Sequence, residues 1–347
     1  MNRFKPVNQC DLPAAFYIKY YLKLLVSDFP EMDSVSGGRY PNPVQPGLTR
    51  VGWIGTGIMG SAMASRLLSA GYSLTVFSRT PSKTLTLLSA GATAASSAEA
   101  VAASSDVVFT MLSTPSSVRS VILSSLLPSS LPNLVLVDST TSSPSLAAEI
   151  SSAAVARSVF SVDAPVSGGD YGARDGTLAV FAGGDPSVVS WLSPLFDVLG
   201  RATYMGPAGT GQSAKIANQI AIGGSILGLS ESLAFAEGVG LNLGLFLEAV
   251  RGGAAGSKAM EIFGERIVRR ELGPGGFAEY MVKDLGMALD GKVALPGAAL
   301  CYQLYLAMVA NGDSKMGTHA LISVIERING RNKQRQHKEE EEKESVE

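Results

Sequence analysis

The sequence predicts an α/β protein, with a doubly wound parallel sheet followed by an all-helical region and one long helix joining the two. Three observations predict this architecture. Short apolar runs alternate with helical segments from residue 50 to about residue 208. Beyond that point the strand pattern stops, and helical segments continue to residue 329. Between the two regions lies segment 211–240, apolar nearly all the way round, which indicates a buried helix.

Each element is indicated by its own apolar run or helical period. The predicted strands of the first domain are 50–54, 74–77, 107–111, 134–137, 161–163 and 178–182. The predicted helices among them are 59–70, 82–90, 97–103, 116–123 and 186–199. The predicted helices that follow are 211–240, 243–251, 257–270, 277–289, 296–310 and 318–329.

Length and composition exclude several classes of protein. The chain has 347 residues, of which 46% are hydrophobic, enough for about two cores. A formal net charge of -2 provides no basic surface for nucleic acid. With only Cys10 and Cys301, and only His319 and His337, we expect neither a disulfide framework nor a metal site. Polar residues interrupt the one long apolar segment, so we expect a soluble intracellular protein without a membrane partner.

The two ends of the chain differ in composition from the middle. Residues 1–49 form an extension with a basic excess and a Gly/Pro-rich linker, compatible with a transit peptide but poor in Ser and Arg. Met32 is an alternative start of translation. The extension does not decide whether the protein is located in the cytoplasm or in the mitochondrion. Residues 331–347 are a charge run typical of a disordered tail. The predicted domains are therefore 50–210 and 211–330, on either side of the point where the strand pattern stops.

A glycine-rich turn follows the first strand and opens the first helix. In dinucleotide-binding turns the first glycine permits a tight bend, the second admits the pyrophosphate, and the third lets the helix pack on the strand. The phosphates then lie at the positive end of the helix. The alternative is a tight strand-to-helix turn without a ligand. The pattern predicts a Rossmann-type NAD(P) site made of Gly55, Thr56, Gly57, Ile58, Met59 and Gly60.

The end of the second strand indicates which dinucleotide is preferred. Enzymes that prefer NAD place a carboxylate there to bind the ribose 2′-hydroxyl, yet the chain has no Asp or Glu between Arg50 and Ala98. Ser78, Arg79 and Thr80 occupy this position instead. A guanidinium flanked by hydroxyls suits a 2′-phosphate. We therefore predict that NADP(H) is preferred and NAD(H) is possible.

Lys215 is the only charged side chain between Arg201 and Glu231. An ammonium group on a buried helix is costly to desolvate unless it has a partner or a function. The alternative is a lysine that extends its amine to water. Asn218 and Gln219 follow at three and four residues, so they share its helix face. Desolvation lowers a lysine pKa, which favours proton transfer near neutral pH.

Seven motifs in order resemble the β-hydroxyacid dehydrogenase family. They are VGWIGTGIMG, FSRT, MLST, DSTTSSP, DAPVSGGDYGARDGTL, GTGQSAKIANQ and VKDLGMALD, within residues 50–329. Members include 3-hydroxyisobutyrate dehydrogenases, tartronate semialdehyde reductases and glyoxylate/succinic semialdehyde reductases. The resemblance is greatest to the plant 3-hydroxyisobutyrate dehydrogenase-like members. It implies interconversion of a small 3-hydroxy or 2-hydroxy acid and its aldehyde. It also implies that 50–210 binds the dinucleotide, and that 211–330 is a 6-phosphogluconate dehydrogenase-like C-terminal domain that binds substrate and forms the interface of a homodimer or homotetramer.

The resemblance also implies roles for individual residues. Lys215 matches the catalytic lysine, which acts as acid or base at the substrate oxygen. Ser167, Gly168 and Gly169 match the loop that holds the substrate carboxylate, although this could also be a plain turn. The remaining matches are Thr140 for substrate, and Leu112, Ser113, Thr141 and Lys283 for cofactor.

Several alternatives stay open at this stage. Whether Asn218 or Gln219 contacts substrate is undecided, and His319 is a candidate for the pocket edge because the family pattern changes around it. An NADPH-dependent glyoxylate/succinic semialdehyde reductase is the alternative reaction, and imine reduction is a further one that Lys215 disfavours. A catalytically silent dinucleotide-binding module is the alternative outside enzymes, although such a module need not keep Lys215.

Overall fold

A computed structural model describes residues 42–273 and 276–331. The predictions about residues 1–41 and 332–347 lie outside the described residues. The described sheet has nine strands. They are β1 (Arg50–Ile54), β2 (Ser73–Phe77), β3 (Thr93–Ala94), β4 (Val107–Thr110), β5 (Val135–Asp138), β6 (Phe160–Asp163), β7 (Val166–Ser167), β8 (Leu178–Gly184) and β9 (Gly200–Gly206).

Helices lie between the strands and make up the C-terminal region. The first eight are α1 (Ile58–Ser69), α2 (Leu85–Ser89), α3 (Ala98–Ala103), α4 (Pro115–Arg119), α5 (Pro144–Val155), α6 (Gly169–Asp175), α7 (Pro186–Trp191) and α8 (Ser193–Leu199). The others are α9 (Thr210–Gly238), α10 (Leu243–Arg251), α11 (Lys258–Val268), α12 (Ala278–Leu289), α13 (Pro296–Ala310) and α14 (Ile322–Ile328). Helix α4 continues through a π-helical stretch, Ser120–Leu126, and a last turn, Leu127–Ser129.

The strand order determines where a ligand can bind. The sheet runs β3-β2-β1-β4-β5-β6-β8-β7, and β9 pairs with β8. Its first six strands pair in parallel in the order 3-2-1-4-5-6, which is typical of dinucleotide-binding domains. The chain leaves β1 for β2 on one side and returns to β4 on the other. Such a switch point opens a crevice at the carboxyl ends of β1 and β4, where ligands bind.

Two apolar clusters cover the two faces of the sheet. One packs α1 and α8 against the sheet, with Trp53 stacked on Phe109 at a ring-centroid distance of 5.2 Å. The other packs α3 and α5 on the opposite face around Val101 and Ile150. Strand β1 is buried from Val51 to Ile54, as expected for a central parallel strand with helices on both faces.

Helix α9 connects the sheet to the helical region. Its N-terminal part contacts β8 and β9, and its later turns contact α11, α12, α13 and α14. The helix is long and apolar enough to cross a membrane by length and composition. A core helix has the same character, and Ile226, Leu229 and Leu233 of α9 are buried in the core of the helical region. Packing against both regions therefore accounts for its apolar sequence.

The predicted fold class is confirmed, with three additions to the sheet. Strands β3 and β7 have two residues each, too short to leave an apolar run. Strand β9 begins and ends with glycine and is partly exposed, so its pattern is irregular. Strand β8 pairs antiparallel with β6 and β7, a direction that residue patterns do not encode. We propose 50–210 and 211–330 as the limits of the two domains.

Candidate active site

The glycine-rich turn lies at the switch point between β1 and β4. Gly55 has φ +100°, and a Cβ there would lie 2.2 Å from the Met111 carbonyl oxygen. A Cβ on Gly60 would lie 2.0 Å from the Gly55 carbonyl oxygen. Both positions therefore require glycine for the turn itself, whatever ligand it holds.

The remaining residues of this turn suit a bound pyrophosphate. A Cβ on Gly57 would have nothing within 4 Å, so the space beside this residue is open. The Thr56 hydroxyl is buried and has no hydrogen-bond partner among the described residues. Gly57 and Ile58 are exposed at the start of α1, where the helix N-terminus favours an anion. An open cradle with an unpartnered hydroxyl fits the phosphates of a dinucleotide.

The residues after β2 lie at the same edge of the sheet. The Gly55 amide donates to the Phe77 carbonyl, which brings the end of β2 beside the glycine turn. Arg79 and Thr80 are exposed, and Ser78 accepts a hydrogen bond from the Thr80 amide at 3.3 Å. The guanidinium of Arg79 has no ion pair or hydrogen bond within the described part of the chain. It is available to a ligand that extends from the turn.

The loop after β5, residues 139–142, contacts both the cofactor side and the helical region. The Thr140 hydroxyl accepts a hydrogen bond from the Leu112 amide at 2.8 Å. The Thr141 carbonyl accepts one from Lys283 Nζ at 2.6 Å. The predicted cofactor and substrate residues Leu112, Thr140, Thr141 and Lys283 are thus connected by direct contacts. Ser113 is exposed and lies beside this set.

The buried carboxylate of Asp138 holds the start of this loop through hydrogen bonds. Asp138, the last residue of β5, accepts hydrogen bonds from the Thr110 hydroxyl at 2.8 Å and the Thr140 amide at 3.1 Å. Burial raises the Asp138 pKa to about 6, although its hydrogen bonds to Thr140 and Thr110 and the charge of Lys283 oppose this shift. The ionised carboxylate therefore orients the amide of Thr140.

Lys215 is 7% exposed on α9. Within residues 42–273 and 276–331, its ammonium has no hydrogen-bond or ion-pair partner. Burial lowers the Lys215 pKa to about 8, the charge of Asp284 raises it, and the charge of Lys283 lowers it. A buried amine that titrates close to neutral pH can both donate and accept a proton. The alternative of a lysine that extends to water conflicts with this burial.

The two amides after Lys215 have different partners. Gln219 is buried, and its Nε2 donates to Asp284 Oδ2 at 2.7 Å. Asp284 in turn forms an ion pair with Lys283, with Nζ 2.7 Å from Oδ1. Asn218 is half-buried, donates from Nδ2 to Gln219 Oε1 at 3.0 Å, and lies beside Ser167 with Oγ to Oδ1 at 3.3 Å.

Asn218 therefore reaches the predicted carboxylate loop, whereas Gln219 holds Asp284. In that loop Gly168 has φ +136° and Gly169 has φ +65°, so both need glycine for backbone shape. Both are also exposed, which leaves the backbone accessible.

Three buried polar residues of the site were not singled out from the sequence, although each lies in a recognised motif. Asp163 ends β6 and accepts hydrogen bonds from the Gly209 and Gln212 amides, each at 2.8 Å, which caps α9. Gln212 lies one turn before Lys215 and is fully buried. Asp284 follows Lys283. The sequence signal that could have identified them is a polar residue in an unusual place. Asp163 lies at the end of a strand, and Gln212 and Asp284 lie among apolar residues of a helix.

The expectation that His319 lies at the pocket edge is wrong. This side chain is fully buried, stacks on Phe263 at a centroid distance of 4.9 Å, and has Nε2 2.9 Å from the Glu271 carbonyl oxygen. It belongs to the core of the helical region.

Comparisons with known proteins agree with this architecture. The family model described as the NAD binding domain of 6-phosphogluconate dehydrogenase matches residues 50–206. The model described as NAD-binding of NADP-dependent 3-hydroxyisobutyrate dehydrogenase matches residues 209–325. The two matches meet at the start of α9, where the sheet ends and the helical region begins.

Individual relatives match most of the chain. Probable 3-hydroxyisobutyrate dehydrogenase-like 3, mitochondrial, of Arabidopsis thaliana is 53% identical over 293 residues, covering 84% of this chain and 92% of the relative. The 2-hydroxy-3-oxopropionate reductase of Escherichia coli K12 is 37% identical, covering 80% of this chain and 97% of the relative. The solved structure of Mycobacterium tuberculosis 3-hydroxyisobutyrate dehydrogenase with L-serine has a TM-score of 0.73 at 28% identity, covering 80% and 99%. The chain therefore belongs to the β-hydroxyacid dehydrogenase family of NAD(P)-dependent oxidoreductases, in its 3-hydroxyisobutyrate dehydrogenase-like branch.

Proposed function

We propose that the protein interconverts a small hydroxy acid and its aldehyde, with Lys215 as the acid/base. The observation that carries this proposal is a buried lysine with a pKa of about 8, on the helix that joins the dinucleotide-binding sheet to the helical region. The bound dinucleotide supplies or accepts the hydride. In reduction, Lys215 donates a proton to the carbonyl oxygen as negative charge develops there. In oxidation, its neutral amine removes the hydroxyl proton.

The substrate class follows from the groups around Lys215. The exposed backbone of Gly168 and Gly169 and the second Nδ2 hydrogen of Asn218 can donate hydrogen bonds to a carboxylate. The Ser167 hydroxyl can do so by giving up its 3.3 Å hydrogen bond to Asn218 Oδ1. Gln219 is a weaker candidate because its Nε2 already donates to both Asp284 Oδ2 and Met281 Sδ. Thr140 is proposed as a further substrate contact. A small acid would thus bind with its carboxylate at the Ser167 loop and its reacting oxygen at Lys215.

We propose NADPH as the preferred cofactor. Arg79 is exposed and unpaired in the described structure, and it follows the strand that ends beside the glycine turn. A guanidinium can form two parallel hydrogen bonds to a 2′-phosphate. The second matching family model is also named after an NADP-dependent enzyme.

Two reactions remain as specific candidates. Oxidation of 3-hydroxyisobutyrate is favoured by the name of the Arabidopsis relative. Reduction of glyoxylate or succinic semialdehyde is favoured by the Arg79 argument for NADPH. We further propose a homodimer or homotetramer formed through the helical region, and an intracellular location that includes the mitochondrion, as the name of that relative indicates.

The test is turnover with purified protein. NADPH and NADH oxidation would be measured with glyoxylate, succinic, tartronate and methylmalonate semialdehydes, and NADP⁺ reduction with 3-hydroxyisobutyrate and serine. Lys215→Met, which keeps the length but removes the amine, should lower kcat by ~10² to 10⁴, the usual contribution of positioned acid catalysis. Dinucleotide binding by that variant should stay normal.

Lys83→Met serves as the matched control because Lys83 is exposed and far in sequence from Lys215. Near-normal turnover by Lys215→Met would remove the lysine from the mechanism. Tight dinucleotide binding by the wild type with no turnover of any substrate would favour a silent binding module.

A further inference from the structure

Gln212 makes a two-sided contact between the helix of Lys215 and the loop after β5. Its Nε2 donates to the Thr140 carbonyl oxygen at 2.7 Å, and its Oε1 accepts from the Ser142 amide at 2.8 Å. The side chain has no exposed surface. The carboxamide thus pairs with the backbone on both sides of Thr141, much as a neighbouring strand would. Only a side chain with one donor and one acceptor at this length satisfies both groups.

The position of Gln212 is itself held by the sheet. Its backbone amide donates to Asp163 Oδ2 at 2.8 Å. Asp163 ends β6, and Asp138 is its paired residue at the end of β5, just before the loop. The main chain and side chain of Gln212 are therefore both anchored to the carboxyl edge of the sheet. One turn later on the same helix comes Lys215.

The loop that Gln212 holds carries two proposed ligand contacts. Thr140 is the proposed substrate contact, and its hydroxyl also receives the Leu112 amide. Thr141 is the proposed cofactor contact, and its carbonyl receives Lys283 from α12. Lys283 and Leu112 hold the loop from the helical region and from the end of β4. Gln212 holds it from the helix that carries the proposed acid/base.

We propose that Gln212 is a positioning residue, whose carboxamide sets the distance and orientation of Thr140 relative to the Lys215 ammonium. This inference rests on the proposed function. Hydride transfer requires the substrate oxygen to meet Lys215 while the substrate is held by the loop, and a displacement of about 1 Å can cost ~10² in rate. Gln212 is uncharged, and its side chain has no exposed surface for a substrate to contact. Its effect is on geometry, so it should appear in kcat more than in dinucleotide affinity.

Two substitutions separate the donor from the acceptor of the carboxamide. Gln212→Leu removes both hydrogen bonds. Gln212→Glu keeps an acceptor for the Ser142 amide but, when ionised, has no donor for the Thr140 carbonyl. Protonation of that glutamate restores an O–H donor, and burial raises a carboxyl pKa toward neutral pH. Ser213→Ala is the matched control, because Ser213 is exposed on the same turn and, among the residues that the structure describes, its hydroxyl bonds only to the Gly209 carbonyl.

We expect kcat to fall by ~10² in Gln212→Leu, with dinucleotide Kd within a few-fold of wild type. In Gln212→Glu the ratio of its kcat to the wild-type kcat should rise as the pH falls, because the donor returns. Hydrogen exchange of the Ser142 amide should speed up in Gln212→Leu and stay slow in Gln212→Glu. Ser213→Ala should match wild type in all three measurements.

Several results would overturn the inference. Wild-type kcat in folded Gln212→Leu would do so, and so would a Gln212→Glu to wild-type ratio that does not change with pH. Thermal unfolding checks that the variants fold. If Gln212→Leu does not fold, the pH ratio of Gln212→Glu decides alone.

Failure of the proposed function gives a different pattern. Wild type and Ser213→Ala would then turn over no substrate, and the Lys215 pKa, read from the pH dependence of amine labelling, becomes the test. A Lys215 pKa that differs between wild type and the uncharged variant Gln212→Leu supports positioning by Gln212. An identical pKa contradicts it.

Discussion

The two ends of the proposed active site are built in different ways. At the dinucleotide end, one contiguous turn of six residues is the proposed site of the pyrophosphate, and its shape depends on where a Cβ is forbidden. At the chemical end, Lys215 depends on residues from separate segments. Gln212 contacts Thr140 over 72 positions, Gln219 contacts Asp284 over 65, and Lys283 contacts Thr141 over 142.

This difference teaches which kind of change each end tolerates. The glycine turn uses main-chain atoms, so it should be sensitive to added bulk and insensitive to charge. The Lys215 end uses ionisable groups in a buried setting, where electrostatic effects are stronger than in water. The pKa of Lys215 and the geometry around it should therefore respond to substitutions on other helices. Substitutions can therefore separate binding from chemistry.

The largest effect expected on dinucleotide binding is at the glycine turn. Gly57→Ala should weaken dinucleotide binding by ~10² while the melting temperature stays unchanged, because the added methyl meets no protein atom but occupies the phosphate approach. Gly60→Ala should lower the melting temperature as well, because its Cβ would lie 2.0 Å from the Gly55 carbonyl oxygen. Titration calorimetry and thermal unfolding measure both. Equal loss of stability in the two variants would contradict the distinction between ligand space and turn shape.

A smaller effect is expected where a side chain enters the dinucleotide end. Arg79→Ala should reduce the preference for NADPH over NADH by ~10- to 100-fold, the value of a charge-assisted hydrogen bond of about 1.5 to 3 kcal/mol. Lys83→Ala removes a cation six residues beyond Phe77 and is the control. The measurement is kcat/KM with each dinucleotide. Unchanged discrimination in Arg79→Ala would exclude a contact with the 2′-phosphate.

The pH dependence tests the chemical end. With a Lys215 pKa of about 8, kcat for reduction should fall as the pH rises through 8, since the ammonium is needed, and kcat for oxidation should rise. Asp284→Asn should move the midpoint to lower pH because Asp284 raises this pKa, and Lys283→Gln should move it to higher pH because Lys283 lowers it. Profiles of kcat against pH measure the shifts. Movement of both midpoints in one direction would contradict the electrostatic account.

The smallest effect concerns stability away from the site. Burial lowers the His319 pKa, so the unfolded chain binds the proton more readily and His319 stabilises the fold less as the pH falls below about 6.5. Asp138 and Asp163 have raised pKa values and act in the opposite direction. The comparison of wild type with His319→Leu isolates the histidine. The variant should lose less stability between pH 7.5 and 5, measured by thermal unfolding; an equal loss would exclude His319 as the group that titrates.

Short-range features of the chain were predictable before any fold was known. The run VGWI followed by G-T-G-I-M-G predicted β1, the turn and α1, because bends and helix starts depend on neighbouring residues. Lys215 in an apolar segment predicted a buried helix with an unusual amine, and its exposure of 7% agrees. The alternation of strands and helices predicted a parallel sheet with helices on both faces, because each element is indicated by its own residue pattern. The roles of the individual site residues stay predictions.

Long-range pairing was not predictable in this way. The antiparallel direction of β8 and the irregular strand β9 depend on the strands beside them. Whether Asn218 or Gln219 faces the carboxylate loop depended on α12, which brings Asp284 to Gln219. The capping of α9 by Asp163 and the contact of Gln212 with the loop at Thr140 also join distant segments. A hydrogen bond across dozens of residues is decided by how helices and strands pack, and local residue patterns carry no record of that packing.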